Sequence, residues 1–233
     1  MYKRQNDSLF PIGGYSHSYG LETYIQRGSV HDLHTAEEYI RKRLSTNFLY
    51  TDLLAARLAY EAAEREDLEA LDSLEDVLEA SRIPMELREA SKKLGSRFIK
   101  TLVHMDADGK NTFFCSYLAA RKGKTTCHPC AYGAFCACTG IGKEEALAGF
   151  LYAQASAMVT NCVKTTPLSQ SDGQKLLLSL HGLMEELVRQ AEEAEEEMLC
   201  VSTPGFDLRS IQHEGLYLSL IHICRRFSPD LCK

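Results

Sequence analysis

No apolar run in this chain of 233 residues approaches the length of a bilayer span, and its N-terminus lacks the apolar core and cleavage site of a secretory signal. The expected compartment is the cytoplasm, with no membrane partner. There, nine cysteines, an odd number at uneven spacing, read as reduced thiols rather than as a disulfide framework. Strand-period segments of useful length are also missing, as are repeats with a period of about 30 to 45 residues and any linker long enough to force two domains. A nucleotide loop is absent as well. "TGIGKEE" ends like one, but Glu144 stands where magnesium needs Ser or Thr, and Ala137 where the loop needs glycine.

What is present is helix-forming sequence of ordinary composition, 45% hydrophobic and 25% charged. The expected fold is all-α, a single bundle-like domain of about 8 to 10 helices over residues 6–217. The two ends break that pattern. "MYKRQ" and "LSLIHI" are translations of the two orientations of one adapter used in transposase-based sequencing libraries. GTG-TAT-AAG-AGA-CAG gives the first and CTG-TCT-CTT-ATA-CAC-ATC the second, so residues 1–5 and 218–233 are expected to be non-native ends. They carry Lys3, Arg4, Arg225, Arg226 and Lys233 against Asp230, a net +4, and without them the formal charge moves from −6 to −10. Such acidity disfavours nucleic acid as a partner.

Periodicity and punctuation place the helices. Gly28 stands where a first helix needs its C-cap, and "TAEE" from Thr35 reads as a capping box opening the next. Residues 36 to about 64 are expected to form one long helix, bent near Asn47, with Ile40, Leu44, Phe48, Leu54 and Leu58 marking its inner face. A short amphipathic helix follows over 67–80, and Pro84 at N1 opens another carried by Leu87, Leu94, Phe98 and Leu102. Residues 111–121 are helical after a turn at 105–110, and the small residues from 129 to about 139 predict a buried central helix. Residues 143–163 and 171 to about 198 complete the set, the last with Leu176, Leu180, Leu183, Leu187 and Ala191 on one face and a solvated glutamate run at its outer end.

Chemistry concentrates in four stretches. In "NDSLFPIGGYSHSYGLETY", Pro11 fixes one backbone angle, Gly13 and Gly14 can take positive φ, and Ser16 or Ser18 can cap a helix running through Glu22. A Ser16–His17 nucleophile pair or a metal ligand at His17 is the alternative, but helix neighbours point to different faces, which sets that pair badly. A structured turn that meets another protein is the expected reading. "CHPCAYGAFCAC" supplies Cys127, His128, Cys130, Cys136 and Cys138, and its C-x-x-C beside a histidine has zinc-like spacing. On a helix Cys136 and Cys138 point about 200° apart, so small buried thiols are expected; Cys127, His128 and Cys130 are the candidates if a metal binds. "KTTPLSQSDGQKLL" reads as a tight helical hairpin with Ser171 as N-cap, grouping Lys164, Gln170 and Gln174 around one loop. "PGFDLRSIQHEGLY" starts a helix after Pro204, and its His213–Glu214 pair is structural unless partners arrive from elsewhere to make a metal or acid-base site.

In this order "FPIGGYSHSYGLE", "HPCAYGAF", "KTTPLSQSDGQ" and "FDLRSIQHEGLY" resemble the UreF-type urease accessory proteins, over residues 6–217. The resemblance implies an all-helical, non-enzymatic protein without a cofactor of its own. It further implies a homodimer in complex with a UreD/UreH-type scaffold and a UreG-type GTPase, an assembly that delivers nickel to apo-urease. Under it, Pro11, Gly13, Gly14, Ser16, His17, Ser18, Gly20 and Glu22 form a shaped turn at a partner surface. Lys164, Gln170 and Gln174 carry over in the same sense, as do His128, His213 and Glu214. The chain departs from the family where cysteines fill positions expected to be small and neutral, and where adapter-like residues replace a tail with Ser-Arg and an aromatic residue. Two rival readings make different predictions. A cytosolic helical metal-binding protein using the Cys127–Cys138 thiols would bind metal stoichiometrically and lose it when Cys127 and Cys130 become serine. A hydrolase using His17 or His213 would show activity with a pH profile.

Overall fold

The computed structural model describes residues 19–105, 111–201 and 203–215, which are helices and their connections without a strand. Helix α1 (Leu21–Gln26) closes as its glycine dictates: Gly28 takes φ +69°, its N–H bonds the Ile25 carbonyl at 2.9 Å, and the Ser29 N–H bonds that of Tyr24. Helix α2 (Leu33–Arg43) starts earlier than the "TAEE" reading, because the capping box pairs Asp32 with Thr35. The Thr35 N–H reaches the Asp32 carboxylate at 2.8 Å, and the Thr35 hydroxyl accepts the Asp32 N–H at 3.1 Å. The chain continues without interruption through a π-helical stretch (Leu44–Leu53) into α3 (Leu54–Glu64). The long helix is thus continuous, and the irregularity expected near Asn47 is ten residues of wider winding.

Helix α4 (Leu68–Ser81) is capped by Asp67, and α5 (Met85–His104) has Pro84 at its N-cap, one position before the expected N1. Then follow α6 (Thr112–Ala120), α7 (His128–Cys138) and α8 (Lys143–Thr165). The single helix expected over 171–198 is instead α9 (Gln170–Ser179), α10 (His181–Glu193) and a 3₁₀ turn (Glu196–Met198). At the break the Leu180 N–H bonds Leu177, and Leu176, Leu180 and Leu187 all stay buried, so the apolar face passes straight through it. Helix α11 (Pro204–His213) ends the described chain.

The core forms around α7, whose residues from Pro129 to Cys136 are all buried. A Cβ added at Gly133 would stand 2.2 Å from the Ala56 carbonyl oxygen of α3, and one at Gly95 of α5 would stand 2.1 Å from that of Thr126. Ala55, Ala56, Ala59 and Ala63 of α3 are buried in the same core. Larger rings close the periphery: Phe135 lies 5.8 Å from both Phe98 and Phe114, and Tyr132 lies 4.8 Å from Phe150. Helix α8, 23 residues long with an 18-residue stretch at mean hydropathy 1.2, does reach the length and composition of a membrane span, contrary to expectation. Its apolar surface is used inward, since 56% of that span is buried within the protein.

Candidate functional site

The first and last described helices meet the start of α5, and the sequence-predicted residues gather there. Gly20 takes φ +82° before α1, and an added Cβ would sit 3.0 Å from the Ser210 hydroxyl and 3.2 Å from its Cα. Glycine is therefore required twice, for the left-handed backbone and for the approach of α1 to α11. The Thr23 hydroxyl fastens this contact by donating to the Arg209 carbonyl at 3.0 Å. On the same side of α1, Glu22 is buried beside His213 of α11, which is 2% exposed.

His213 is held between two carboxylates. Its Nδ1 lies 2.7 Å from Glu86 Oε2 and its Nε2 lies 3.5 Å from Glu22 Oε2. Burial alone would push the imidazole pKa down, but the contacts with Glu22 and Glu86 outweigh it and hold the ring above its usual value. Glu214 completes the group by accepting the Glu86 N–H at 3.3 Å, which gives α5 the capping acceptor that Pro84 cannot supply. Both ring nitrogens of His213 face carboxylates on opposite edges, so the arrangement clamps three helices together rather than converging on one ion. Among the described residues no three of His, Cys, Asp and Glu come together in a way that could hold a metal.

The other predicted residues sit elsewhere. Cys127, Cys130 and Cys136 are buried in the core, and Cys138 is half-buried. Burial, then the nearby Glu75 carboxylate, pushes the Cys127 thiol up to about 12; burial raises Cys130 as well and takes Cys138 to about 11. Such thiols stay protonated and behave as small apolar groups. His128 packs among Phe98, Tyr132 and Phe150, with ring centroids at 5.4, 6.2 and 5.3 Å, and burial holds it down at about 4, as a neutral ring. Lys164, Gln170 and Gln174 are exposed around the α8–α9 loop, and no hydrogen bond or ion pair among the described residues ties them to the clamp. Pro11, Gly13, Gly14, Ser16, His17 and Ser18 lie outside the described residues.

That loop corrects one reading. The N-cap of α9 is Ser169, not Ser171: its hydroxyl accepts the Asp172 N–H at 3.1 Å, and Asp172 answers to the Ser169 N–H at 3.2 Å. Ser169→Ala is expected to cost about 1 kcal/mol in urea unfolding while Ser171→Ala stays within about 0.5 kcal/mol; equal effects would refute the assignment.

Sequence reasoning missed Glu86 and Arg43. Glu86 is an acid in the first turn of α5, a common place for one. Arg43 is 4% exposed, with the rings of Tyr19 and Phe206 at 5.1 and 5.6 Å from its guanidinium. Neither has a local sequence signal, since their partners lie far along the chain.

The family profile described as UreF matches residues 30–181. A urease accessory protein UreF of Actinobacillus pleuropneumoniae serotype 5b (strain L20) is 35% identical over 214 residues, covering 92% of this chain and 94% of the relative. One from Haemophilus influenzae (strain PittGG) is 34% identical, covering 92% and 91%, and one from Bacillus sp. (strain TB-90) is 33% identical, covering 92% and 94%.

Proposed function

The chain belongs to the UreF family of urease accessory proteins, and from that membership we propose that it is a non-catalytic subunit of a cytoplasmic assembly that inserts nickel into apo-urease. In this reading it dimerises, binds a UreD/UreH-type scaffold and regulates a UreG-type GTPase. Nickel is the cargo of the assembly, and the chain carries no cofactor of its own.

The observation that carries the reading is the clamp and its rim. Motif residues from opposite ends of the sequence, Gly20 and Glu22 with His213 and Glu214, are brought together where α11 meets the start of α5, and both of these elements carry exposed apolar side chains. Ile83 and Met85 lead into α5, and Leu208 and Ile211 stand on α11; these are 64, 56, 51 and 43% exposed. Apolar side chains left in water around a rigid, polar-buttressed junction are the signature of a surface meant to be covered by another protein.

Size-exclusion chromatography with light scattering, using the scaffold and GTPase partners, tests this. The chain is expected to run as a dimer and to co-elute with both. The double substitution Leu208→Asp with Ile211→Asp is expected to abolish co-elution with the scaffold while leaving the helical circular dichroism and melting temperature nearly unchanged, as surface changes do. Failure of the parent chain to assemble with folded partners would defeat the accessory reading. Assembly that survives the double substitution would remove this rim from the interface.

A further inference from the structure

A cavity of about 290 Å³ lies beside the clamp, walled by the π-helical stretch, the α4–α5 junction and the segment entering α11. Two guanidiniums form part of its wall. Arg82 has a counter-charge, with Nη2 at 2.7 Å from Asp52 Oδ1. Arg43 has no ion pair among the described residues: its Nη1 donates to the Tyr19 carbonyl at 3.3 Å, and the Asp207 carboxyl in the same wall feels its charge without closing to salt-bridge distance. The Nε of each arginine is buried without a hydrogen-bond partner. A guanidinium has five N–H donors and is costly to bury unless a counter-charge meets it; the aromatic rings beside Arg43 supply only part of that.

The other polar groups of the wall are already engaged. Asn47 donates to Thr203 at 2.7 Å, and the Thr51 hydroxyl lies 2.7 Å from the Asn47 carbonyl and 2.8 Å from Asp52. What remains is a cation at Arg43 that is only partly matched and, in the wall of the same cavity, the half-buried carboxyl of Asp207. A ligand that suits both must bring negative oxygens to the first and a hydroxyl to the second. We propose that the cavity binds a small oxyanion that keeps one proton, of the hydrogenphosphate or bicarbonate kind, with its charge on Arg43 and its hydroxyl donated to Asp207. The volume suffices for such an ion together with several waters, each taking about 30 Å³.

Sulfate provides the discriminating control, since it has no proton to donate at neutral pH and would meet Asp207 as a like charge. Inorganic phosphate, bicarbonate and sulfate are titrated separately into the full chain by isothermal calorimetry, which reads this site without reference to the assembly. Saturable binding of phosphate or bicarbonate is expected, the tighter of the two identifying the occupant, with sulfate weaker by about tenfold or more. Arg43→Gln should lose at least about tenfold in affinity, Arg43→Lys should lose less, and Asp207→Asn should bring sulfate level with phosphate. If Arg43→Gln fails to fold by circular dichroism, the change in selectivity of Asp207→Asn decides alone. No saturable binding of any of the three ions, equal binding of sulfate and phosphate by the parent, or unchanged selectivity in Asp207→Asn would each overturn the proposal.

Discussion

Gly133→Ala is expected to cost about 3 kcal/mol or more of unfolding free energy, at the upper edge of what overpacking one methyl into a tight core costs. The new Cβ would meet the Ala56 carbonyl oxygen at 2.2 Å, the Tyr60 nitrogen at 3.0 Å and the Ala56 carbonyl carbon at 3.1 Å. All three are backbone atoms of α3, so no rotamer change relieves the clash. Helices α3 and α7 would have to separate, and the Phe98–Phe135–Phe114 packing behind α7 would loosen with them. For a chain of this length the loss corresponds to a fall of about 6 to 12 °C in Tm. Gly182→Ala is the control, because an added Cβ there has nothing within 4 Å and the residue already lies within α10; it should be silent or slightly stabilising. A Gly133→Ala protein within about 1 kcal/mol of the parent would mean that the two helices do not approach as described.

His213→Ala is expected to destabilise the protein by about 3 to 5 kcal/mol at acidic to neutral pH, because it removes the shared cation from two largely buried carboxylates. Glu22 and Glu86 side chains are 11 and 22% exposed, so water replaces the lost partner poorly. The pH dependence follows from the raised pKa of the folded imidazole. Protonation is favoured in the folded state, so its stabilising effect is complete below the unfolded value of about 6.5 and fades as pH rises through the folded value. Urea midpoints of the parent should therefore decline above neutrality, and the gap between parent and His213→Ala should narrow there. A gap independent of pH would show that the ring contributes packing alone. His213→Ala should also weaken co-elution with the scaffold, since Gly20, Ser210 and the rim above them depend on the seating of α11 against α1.

Much of this molecule is legible in its sequence because helices announce themselves locally. The four-residue steps of Ile40, Leu44 and Phe48, the left-handed Gly28 and the small residues of α7 each encode a feature that neighbouring residues can build without help. The misreadings are local too. Thr35 and Ser171 looked like caps, but Asp32 and Ser169 sit three and two residues earlier with their reciprocal partners three residues on, and that reciprocity decides where a helix begins. The leucine series from Leu176 to Leu187 concealed the break at Leu180, since a face can stay apolar across a change of helix. Of the clamp, Glu22, His213 and Glu214 stood in recognisable motifs, but their pairing with Glu86 could not be read. His213 and Glu86 are 127 residues apart in sequence, and nothing near either one names the other.

That separation has a consequence for the life of the chain. The Thr23–Arg209 contact closes a span of 186 residues, the kind of long-range pairing that is slow to form because so much chain must be ordered first. A nascent chain emerging from the ribosome has Glu22 and Glu86 in place long before His213 exists. Until α11 docks, two acids wait without their base and the rim around α11 has not been made. A partner that recognises this surface consequently cannot engage a half-made chain, and completion of synthesis itself becomes the first condition for assembly.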